Sequence, residues 1–319
     1  MAESMNLLLT GASGFVGGSF WNRFESEIHI TGIGRRELNR KNYVRHDLSQ
    51  PINLSADFRP DVVIHAGAMA SPWGTAKQFY RNNVLATRNV VDFCESRSVR
   101  KLIYISSSSV YYNDQDQSGI TEETPIGPSF INGYARSKFE GELEARRFTG
   151  EVVILRPRAV FGPGDTVLFP RILEAARRKK LPVIERPGNP AIGDLIYIDN
   201  LTDCMKQAAI NTSITGDFNL TNNEPVSIQD FLFDVFRRLD IPLPRKRVSG
   251  RKALFAATLL ESAYRVMRLS GEPPVTRFGV QVFTLSKTFD VTKMLQTFGP
   301  PAVSVEEGVR RFIEWQRHL

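Results

Sequence analysis

The stretch Asn6-Leu-Leu-Leu-Thr-Gly-Ala-Ser-Gly-Phe-Val-Gly17 decides the fold that this sequence predicts. Its three leucines form a short apolar run typical of a buried strand, and residues from Phe15 onward fit a helix. Three glycines lie between and within these elements. Gly11 permits a sharp turn, Gly14 leaves room for a phosphate beside the backbone, and Gly17 lets the helix pack close to the strand. The stretch therefore predicts a pyrophosphate site at the helix N-terminus.

Strand-like and helix-like segments alternate through the first half of the chain. Several predicted strands are apolar throughout, as in Val62-Val-Ile64 and Leu102-Ile-Tyr-Ile105. Such strands are buried on both faces, which is typical of a parallel sheet covered by helices. The predicted fold class is α/β, a doubly wound parallel sheet of the Rossmann type with its ligand at the carboxyl ends of the strands. The strands are expected at 7–10, 29–33, 62–66, 102–106 and 152–156, and the main helices at 15–23, 76–96 and 134–148.

The character of the sequence changes after Pro157. Glycines and prolines at 162–164 and 187–190 interrupt the alternation, as expected for turns and loops. We therefore expect a dinucleotide-binding Rossmann domain over residues 1–160 and a mainly substrate-binding, mixed domain over 161–319. Segments near 195–222 are expected to return to the sheet of the first domain.

The composition limits the possible partners. The chain has 319 residues, 42% of them apolar, and a formal net charge of +7. Its basic residues are scattered rather than interleaved with aromatic residues, so we expect no nucleic-acid partner. Cys94 and Cys204 lie in unrelated apolar patterns and are predicted to be small core residues. No metal-ligand spacing, signal peptide or bilayer-length apolar run is found, which predicts a cytoplasmic protein without a metal or an integral membrane segment.

Two further patterns carry chemistry. Tyr134 and Lys138 are four residues apart and would share one face of a helix. A tyrosine titrates near ~10, and a nearby ammonium group favours its phenolate, so the pair can move a proton at neutral pH. The cluster Ser106-Ser-Ser-Ser109 follows an apolar strand, where a hydroxyl can hydrogen-bond a substrate carbonyl. Either pattern alone is also common on a helix surface or in a polar loop.

Together these elements resemble the extended short-chain dehydrogenase/reductase family, also called the NAD-dependent epimerase/dehydratase family. The motifs that carry the resemblance, in order, are TGASGFVG, DVVIHAGA, NNVLATRNV, SSSSVY, YARSK, RPRAVFGPGD and DLIYIDN. The resemblance implies an enzyme in which Ser107 orients the substrate oxygen, Tyr134 is the acid/base, and Lys138 tunes Tyr134 and holds the nicotinamide ribose. The cofactor-binding residues expected on this basis are Gly11, Ser13, Gly14, Phe15, Val16, Gly17, Arg35, Arg36, Asp47, Leu48, Ala66, Gly67, Ala68, Asn83, Tyr134, Lys138 and Pro157.

The end of the second strand bears on the choice of coenzyme. NAD enzymes of the family usually carry an acidic residue there, for the ribose hydroxyls. This chain has Gly34-Arg35-Arg36 instead, and two guanidiniums suit a 2′-phosphate. NADP is therefore the expected cofactor, with NAD possible if the arginines form only a solvated basic turn.

The substrate class is less tightly constrained, because one fold serves several chemistries. Nucleotide-sugar members of the family carry an arginine where this chain has Gly193, and dehydratases carry an Asp-Glu pair where it has Ser108-Ser109. Other stretches resemble the 3β-hydroxysteroid dehydrogenase and 2-alkyl-3-oxoalkanoate reductase branch. We therefore expect an NAD(P)-dependent oxidoreductase that interconverts a secondary alcohol and a ketone on a lipophilic substrate of 3-hydroxysteroid or 3-oxoacyl type. The alternative is a nucleotide-sugar 4-epimerase that retains its NAD.

Four residues are expected to contact that small-molecule substrate: Met69, Trp73, Ser108 and Phe161. Trp73 and Phe161 could equally be plain core residues. Residues 254–269 read as a basic amphipathic helix, which either packs on its own domain or makes a peripheral membrane contact. The family resemblance further implies a homodimer formed through the helices at 76–96 and 134–148.

Overall fold

The computed structural model describes residues 5–318, so the outermost residues of the two expected domains lie outside it. Its strands are β1 (Asn6–Thr10), β2 (His29–Gly34), β3 (Tyr43–Arg45), β4 (Val62–His65), β5 (Lys101–Ile105), β6 (Gln117–Ile120), β7 (Glu151–Pro157), β8 (Val160–Phe161), β9 (Val183–Glu185), β10 (Ile192–Gly193), β11 (Ile196–Tyr197), β12 (Gly216–Leu220), β13 (Val226–Ser227), β14 (Arg247–Ser249) and β15 (Lys287–Phe289).

The helices begin and end close to the predicted positions where a prediction was made. They are α1 (Phe15–Phe24), α2 (Ala76–Phe79), α3 (Ala86–Ser96), α4 (Gly133–Ala145), α5 (Phe169–Arg177), α6 (Ile198–Ile210), α7 (Ile228–Arg238), α8 (Gly250–Val266), α9 (Arg277–Thr284), α10 (Thr292–Phe298) and α11 (Val305–Arg317). The helix expected at 76–96 is interrupted by a π-helical segment, Tyr80–Leu85, which joins α2 to α3.

The predicted doubly wound parallel sheet is confirmed. Seven parallel strands lie in the order β12-β7-β5-β4-β1-β2-β3. The chain moves outward from β1 through β2 to β3, then returns to the other side of β1 with β4. The carboxyl ends of β1 and β4 therefore flank the point where the strand order reverses, which is the expected ligand position in such a sheet.

Both faces of the sheet are buried, because successive side chains of each strand point to opposite faces. Leu7 and Leu9 of β1 pack with residues of α1, α6 and α10. Leu8 between them packs with residues of α3 on the opposite face. This arrangement explains why the central strands are apolar throughout.

The second half of the chain contributes strands to two sheets. Its strand β12 pairs with β7 and completes the main sheet. A smaller four-stranded sheet has the order β13-β10-β15-β6, and the pairs β11–β8 and β14–β9 stand apart. Strand β6 thus comes from the first half of the chain and β12 from the second. The boundary at residue 160 stays a prediction.

Candidate active site and dinucleotide cavity

The turn after β1 brings three backbone segments into unusually close contact. Gly11 has a φ of +69°, a conformation that favours glycine, and a Cβ there would lie 2.6 Å from the amide nitrogen of Gly67. A Cβ on Gly17 would lie 2.4 Å from the carbonyl oxygen of Gly11. The amide of Gly14 donates to the same carbonyl over 2.8 Å. The start of α1 is therefore held tightly against both β1 and the loop after β4.

A cavity of about 420 Å³ opens beside this turn. Gly14, the N-cap of α1, lies at its edge and has no side chain to occupy the first-turn amides, so an anion fits there. Of the cofactor residues expected from the sequence, those that line the cavity are Gly11, Ser13, Gly14, Arg35, Arg36, Asp47, Leu48, Ala66, Gly67 and Ala68. Phe15, Val16 and Gly17 follow in α1, where Val16 packs against the core and Gly17 against the turn.

The far end of the cavity is lined by charged side chains. Arg35 donates to Oδ1 of Asn82 over 2.8 Å, and Arg36 donates to the carbonyl of Ser13. Burial raises the pKa of Asp47, but hydrogen bonds from Ser49 and the guanidinium of Arg81 outweigh it and hold that pKa below its usual range. The exposed guanidiniums of Arg35 and Arg36 lie at the cavity edge and have no carboxylate partner within residues 5–318. Asp47 is already paired with Arg81.

Further cavity residues were not singled out from the sequence. They are Gly34, His46, Ser49, Asn82, Ala86 and Thr166. Gly34 ends β2 and could have been found from its position at a strand end. Thr166 could not, because it comes from the loop before α5 and reaches the cavity only through the tertiary fold.

The π-helical segment positions the loop after β4. Asn83 is buried, accepts a hydrogen bond from the amide of Met69 over 2.7 Å and donates to Ser137 Oγ of α4 over 2.8 Å. Through these two bonds Asn83 supports the loop after β4. A π-helical turn has i→i+5 hydrogen bonds in place of i→i+4, and such turns often occur at functional sites. Asn83 thereby links α4 to the loop that lines the cavity.

Ser107, Tyr134 and Lys138 converge at the carboxyl edge of the sheet, below the end of β5. Ser107 caps the short 3₁₀ turn Ser108–Tyr111 by accepting from the amide of Ser109 over 3.2 Å. Tyr134 is in the first turn of α4, which Asn132 caps by accepting from Ala135 over 2.8 Å. Burial raises the pKa of Tyr134, and its interaction with the Ser107 hydroxyl opposes the rise. Serine and tyrosine hydroxyls therefore face one space, as a substrate oxygen requires.

Lys138 lies one helical turn below Tyr134 and is fully buried. Its Nζ donates to the carbonyl of Ile105 over 2.7 Å and lies 4.1 Å from the ring centroid of Tyr104. Burial lowers the pKa of Lys138 to about 7, while the charge of Glu142 opposes this change. The sequence predicted that Lys138 lowers the pKa of Tyr134. In the structure, desolvation of the phenol outweighs any such effect.

A buried ion pair lies directly beneath Lys138. Arg156 of β7 donates to both carboxylate oxygens of Glu142 of α4, over 2.9 and 2.6 Å. Ser106, directly after β5, donates to the same carboxylate over 2.5 Å, and Asp217 of β12 accepts from Arg156 over 2.7 Å. Four elements of the fold are thus joined at one point. The sequence reasoning missed this network, because its members are far apart along the chain.

The expected substrate residues fall into two groups. The loop residues Met69 and Trp73 are partly exposed, and Trp73 contacts Tyr264 edge-on at 6.3 Å. Ser108 is buried, with its hydroxyl 3.2 Å from that of Tyr112. Phe161 is fully buried in an aromatic cluster and leaves no surface for a substrate. It is therefore a core residue, which was the alternative stated for it from the sequence. Pro157 ends β7 at the level of Leu220, beside this region.

Comparison with known proteins gives one family. The model of the NAD dependent epimerase/dehydratase family matches residues 7–220. A 2-alkyl-3-oxoalkanoate reductase of Shewanella oneidensis is 32% identical over 334 residues, covering 97% of this chain and 86% of that protein. The 3beta-hydroxysteroid-dehydrogenase/decarboxylase isoform 2 of Arabidopsis thaliana is 31% identical over 300 residues, covering 88% of this chain and 53% of that one.

Among solved structures, MoeE5 in complex with UDP-glucose and NAD has a TM-score of 0.77 at 22% identity, covering 98% of this chain and 99% of that one. This likeness concerns the fold. The chain belongs to the NAD-dependent epimerase/dehydratase family, that is, to the extended short-chain dehydrogenase/reductases. It is accordingly an NAD(P)-dependent enzyme of the oxidoreductase type. Within residues 5–318, no helix is long and apolar enough to cross a membrane.

The glycine turn gives a testable prediction with a matched control. Gly17→Ala should lower the free energy of unfolding by at least about 2 kcal/mol and weaken dinucleotide binding, since its Cβ meets backbone that cannot give way. Gly18→Ala, one residue further along α1, should be neutral or stabilising, because its Cβ would meet Ala12 only at 3.4 Å. Thermal melting and fluorescence titration with the cofactor would measure both. Equal behaviour of the two variants would contradict the prediction.

Proposed function

We propose that this chain interconverts a secondary alcohol and a ketone on a lipophilic substrate of the 3-oxoacyl or 3-hydroxysteroid type. The observation that supports it best is the convergence of Ser107, Tyr134 and Lys138 beside the dinucleotide cavity. In this proposal the Ser107 hydroxyl orients the substrate oxygen and Tyr134 exchanges the proton with it. Lys138 places its ammonium group, when protonated, one helical turn from Tyr134. A nicotinamide coenzyme, when bound, supplies or accepts the hydride at the substrate carbon.

A nucleotide-sugar 4-epimerase is the second candidate. Its support is the likeness of fold to MoeE5 in complex with UDP-glucose, which at this identity concerns the fold alone. Against it stands Gly193 of β10, where nucleotide-sugar members carry an arginine. A Cβ there would lie 2.9 Å from the Cδ1 of Ile228, so a larger residue at this position would require the Ile228 side chain to move.

Turnover assays separate these candidates. NADPH absorbance should fall on incubation with 3-oxo-steroids or long-chain 3-oxoacids, and Tyr134→Phe should keep coenzyme affinity while losing about 100-fold or more in kcat, because the proton donor is gone. Interconversion of UDP-sugars with no net NADPH oxidation would favour the epimerase. Undiminished ketone reduction by Tyr134→Phe would contradict the mechanism.

We propose NADP as the coenzyme, on the basis of the exposed guanidiniums of Arg35 and Arg36 at the cavity edge. The double variant Arg35→Ser/Arg36→Ser should raise KM for NADPH about tenfold or more and leave that for NADH nearly unchanged, since only NADPH carries the 2′-phosphate. Arg40→Ser is the matched control, because Arg40 is nearby but pairs with Glu25. A parallel loss with both coenzymes would argue against a 2′-phosphate contact.

Helix α8 supports a proposed peripheral contact with an anionic bilayer. Its outward face carries Phe255 and Leu259, whose exposed fractions are 66% and 56%. Basic side chains surround them: Arg251, Lys252, Arg265 and Arg268, all exposed. The acidic residue of this helix, Glu261, is buried and accepts from the amide of Arg277 over 2.7 Å. Apolar area ringed by cations suits anionic headgroups.

Co-sedimentation with vesicles tests this contact. The chain should bind phosphatidylglycerol-containing vesicles, and Phe255→Asp/Leu259→Asp should abolish binding by placing carboxylates against the bilayer. Ile210→Asp changes an equally exposed apolar residue on α6, at 55% exposure, and should leave binding intact. Loss of binding in that control, or none in the native chain, would contradict the proposal.

A homodimer formed through α2–α3 and α4, and a cytoplasmic location, complete the proposed description. The dimer is proposed from the family resemblance, and the molar mass in solution, by light scattering, would be twice that of the chain if the proposal is right.

A further inference from the structure

Arg158 is a buried cation that forms no ion pair with any residue that the structure describes. Its side chain is 8% exposed. Its Nε is completely buried and has no hydrogen-bond partner within residues 5–318. A buried, unpaired charge costs free energy, so native chains rarely keep one without a use.

The guanidinium of Arg158 is surrounded by groups that do not neutralise it. Its Cζ lies 5.2 Å from the ring centroid of Tyr112. Lys287, whose ammonium lies 5.3 Å from the centroid of the same ring, adds a second cation. Asp194 is near enough to be influenced by Arg158, but its Oδ2 accepts from the amide of Phe289 over 2.9 Å and it forms no ion pair with Arg158 in the described chain. Arg158 therefore has a second cation nearby and no carboxylate within ion-pair distance among residues 5–318.

The position of Arg158 connects this cluster to the candidate active site. Strands β5 and β7 pair with Ile105 opposite Leu155, so Ser107, two residues after the end of β5, and Arg158, directly after β7, both follow the same edge of the sheet. The hydroxyl of Tyr112, whose ring lies against the guanidinium, is 3.2 Å from the hydroxyl of Ser108, the neighbour of Ser107. Arg158 is therefore connected through Tyr112 to the serine turn where the proposed ketone oxygen would bind.

We propose that Arg158 binds a carboxylate of the substrate and so selects keto acids or hydroxy acids over neutral ketones and alcohols. A guanidinium matches a carboxylate with two parallel hydrogen bonds, and burial strengthens both. The inference rests on the proposed function and adds to it the class of substrate. Arg158 is a specificity residue here and takes no part in the proton transfer.

The test compares matched acid and ester substrates. In the native chain, kcat/KM with NADPH should be higher for a 2-alkyl-3-oxoalkanoate than for its methyl ester. Arg158→Gln should lose about tenfold or more of this preference through KM for the acid, with the ester changed less than about twofold. Arg186→Gln is the control, because Arg186 is also positively charged but pairs with Asp116 over 2.9 Å, and it should keep the preference.

A binding measurement keeps the test independent of turnover. Calorimetry with dodecanoate and dodecanol, in the presence of NADP, should show Arg158-dependent binding of the acid alone. Thermal melting of Arg158→Gln should occur at a temperature no lower than that of the native chain, because no ion pair is lost and a costly buried charge is removed. If neither the acid nor the ester is reduced, the proposed function fails, while dodecanoate binding still decides the role of Arg158. Parallel losses with acid and ester, or Arg158-dependent binding of UDP-glucose but not dodecanoate, would overturn the carboxylate assignment.

Discussion

The ion pair between Glu142 and Arg156 is the interaction on which the site geometry depends. Both side chains are almost fully buried, and the pair is completed by Ser106 and Asp217. Two opposite charges in a low-dielectric interior are costly unless their geometry is good and their remaining hydrogen bonds are met. Here four elements meet these needs together, so α4 has one well-defined position on the sheet. The positions of Lys138 and Tyr134 are fixed in the same way, because they lie one and two turns before Glu142 on the same helix.

The prediction from sequence succeeded where the information is local. The turn around Gly11, Gly14 and Gly17 is contained in one short stretch, and the buried strands can be recognised by their apolar composition. These patterns were enough to predict the doubly wound sheet and the position of its cavity. The pairing of Tyr134 with Lys138 is likewise a matter of helical spacing.

What the sequence reasoning could not reach depends on residues that meet only in the folded chain. The other members of the network around Glu142, namely Ser106, Arg156 and Asp217, come from three different strands or their ends. Thr166 enters the cavity from a distant loop. The π-helical segment Tyr80–Leu85 contains Asn83, which contacts Met69 and Ser137. The periodicity of the helix does not reveal these contacts. Phe161 illustrates the same limit: an aromatic residue in a motif can belong to the pocket or the core, and only its neighbours decide.

The origin of β12 in the second half of the chain has a consequence for synthesis. The ribosome releases β7 about 60 residues before β12, as the bounds Glu151–Pro157 and Gly216–Leu220 imply. Until then β7 is the edge strand of the nascent sheet, and the guanidinium of Arg156 lacks the carboxylate of Asp217. A cation in a low-dielectric interior is costly while one of its acidic partners is missing. The emerging polypeptide therefore passes through an interval in which the network around Glu142 and Arg156 is incomplete, and release of residue 220 from the exit tunnel ends it.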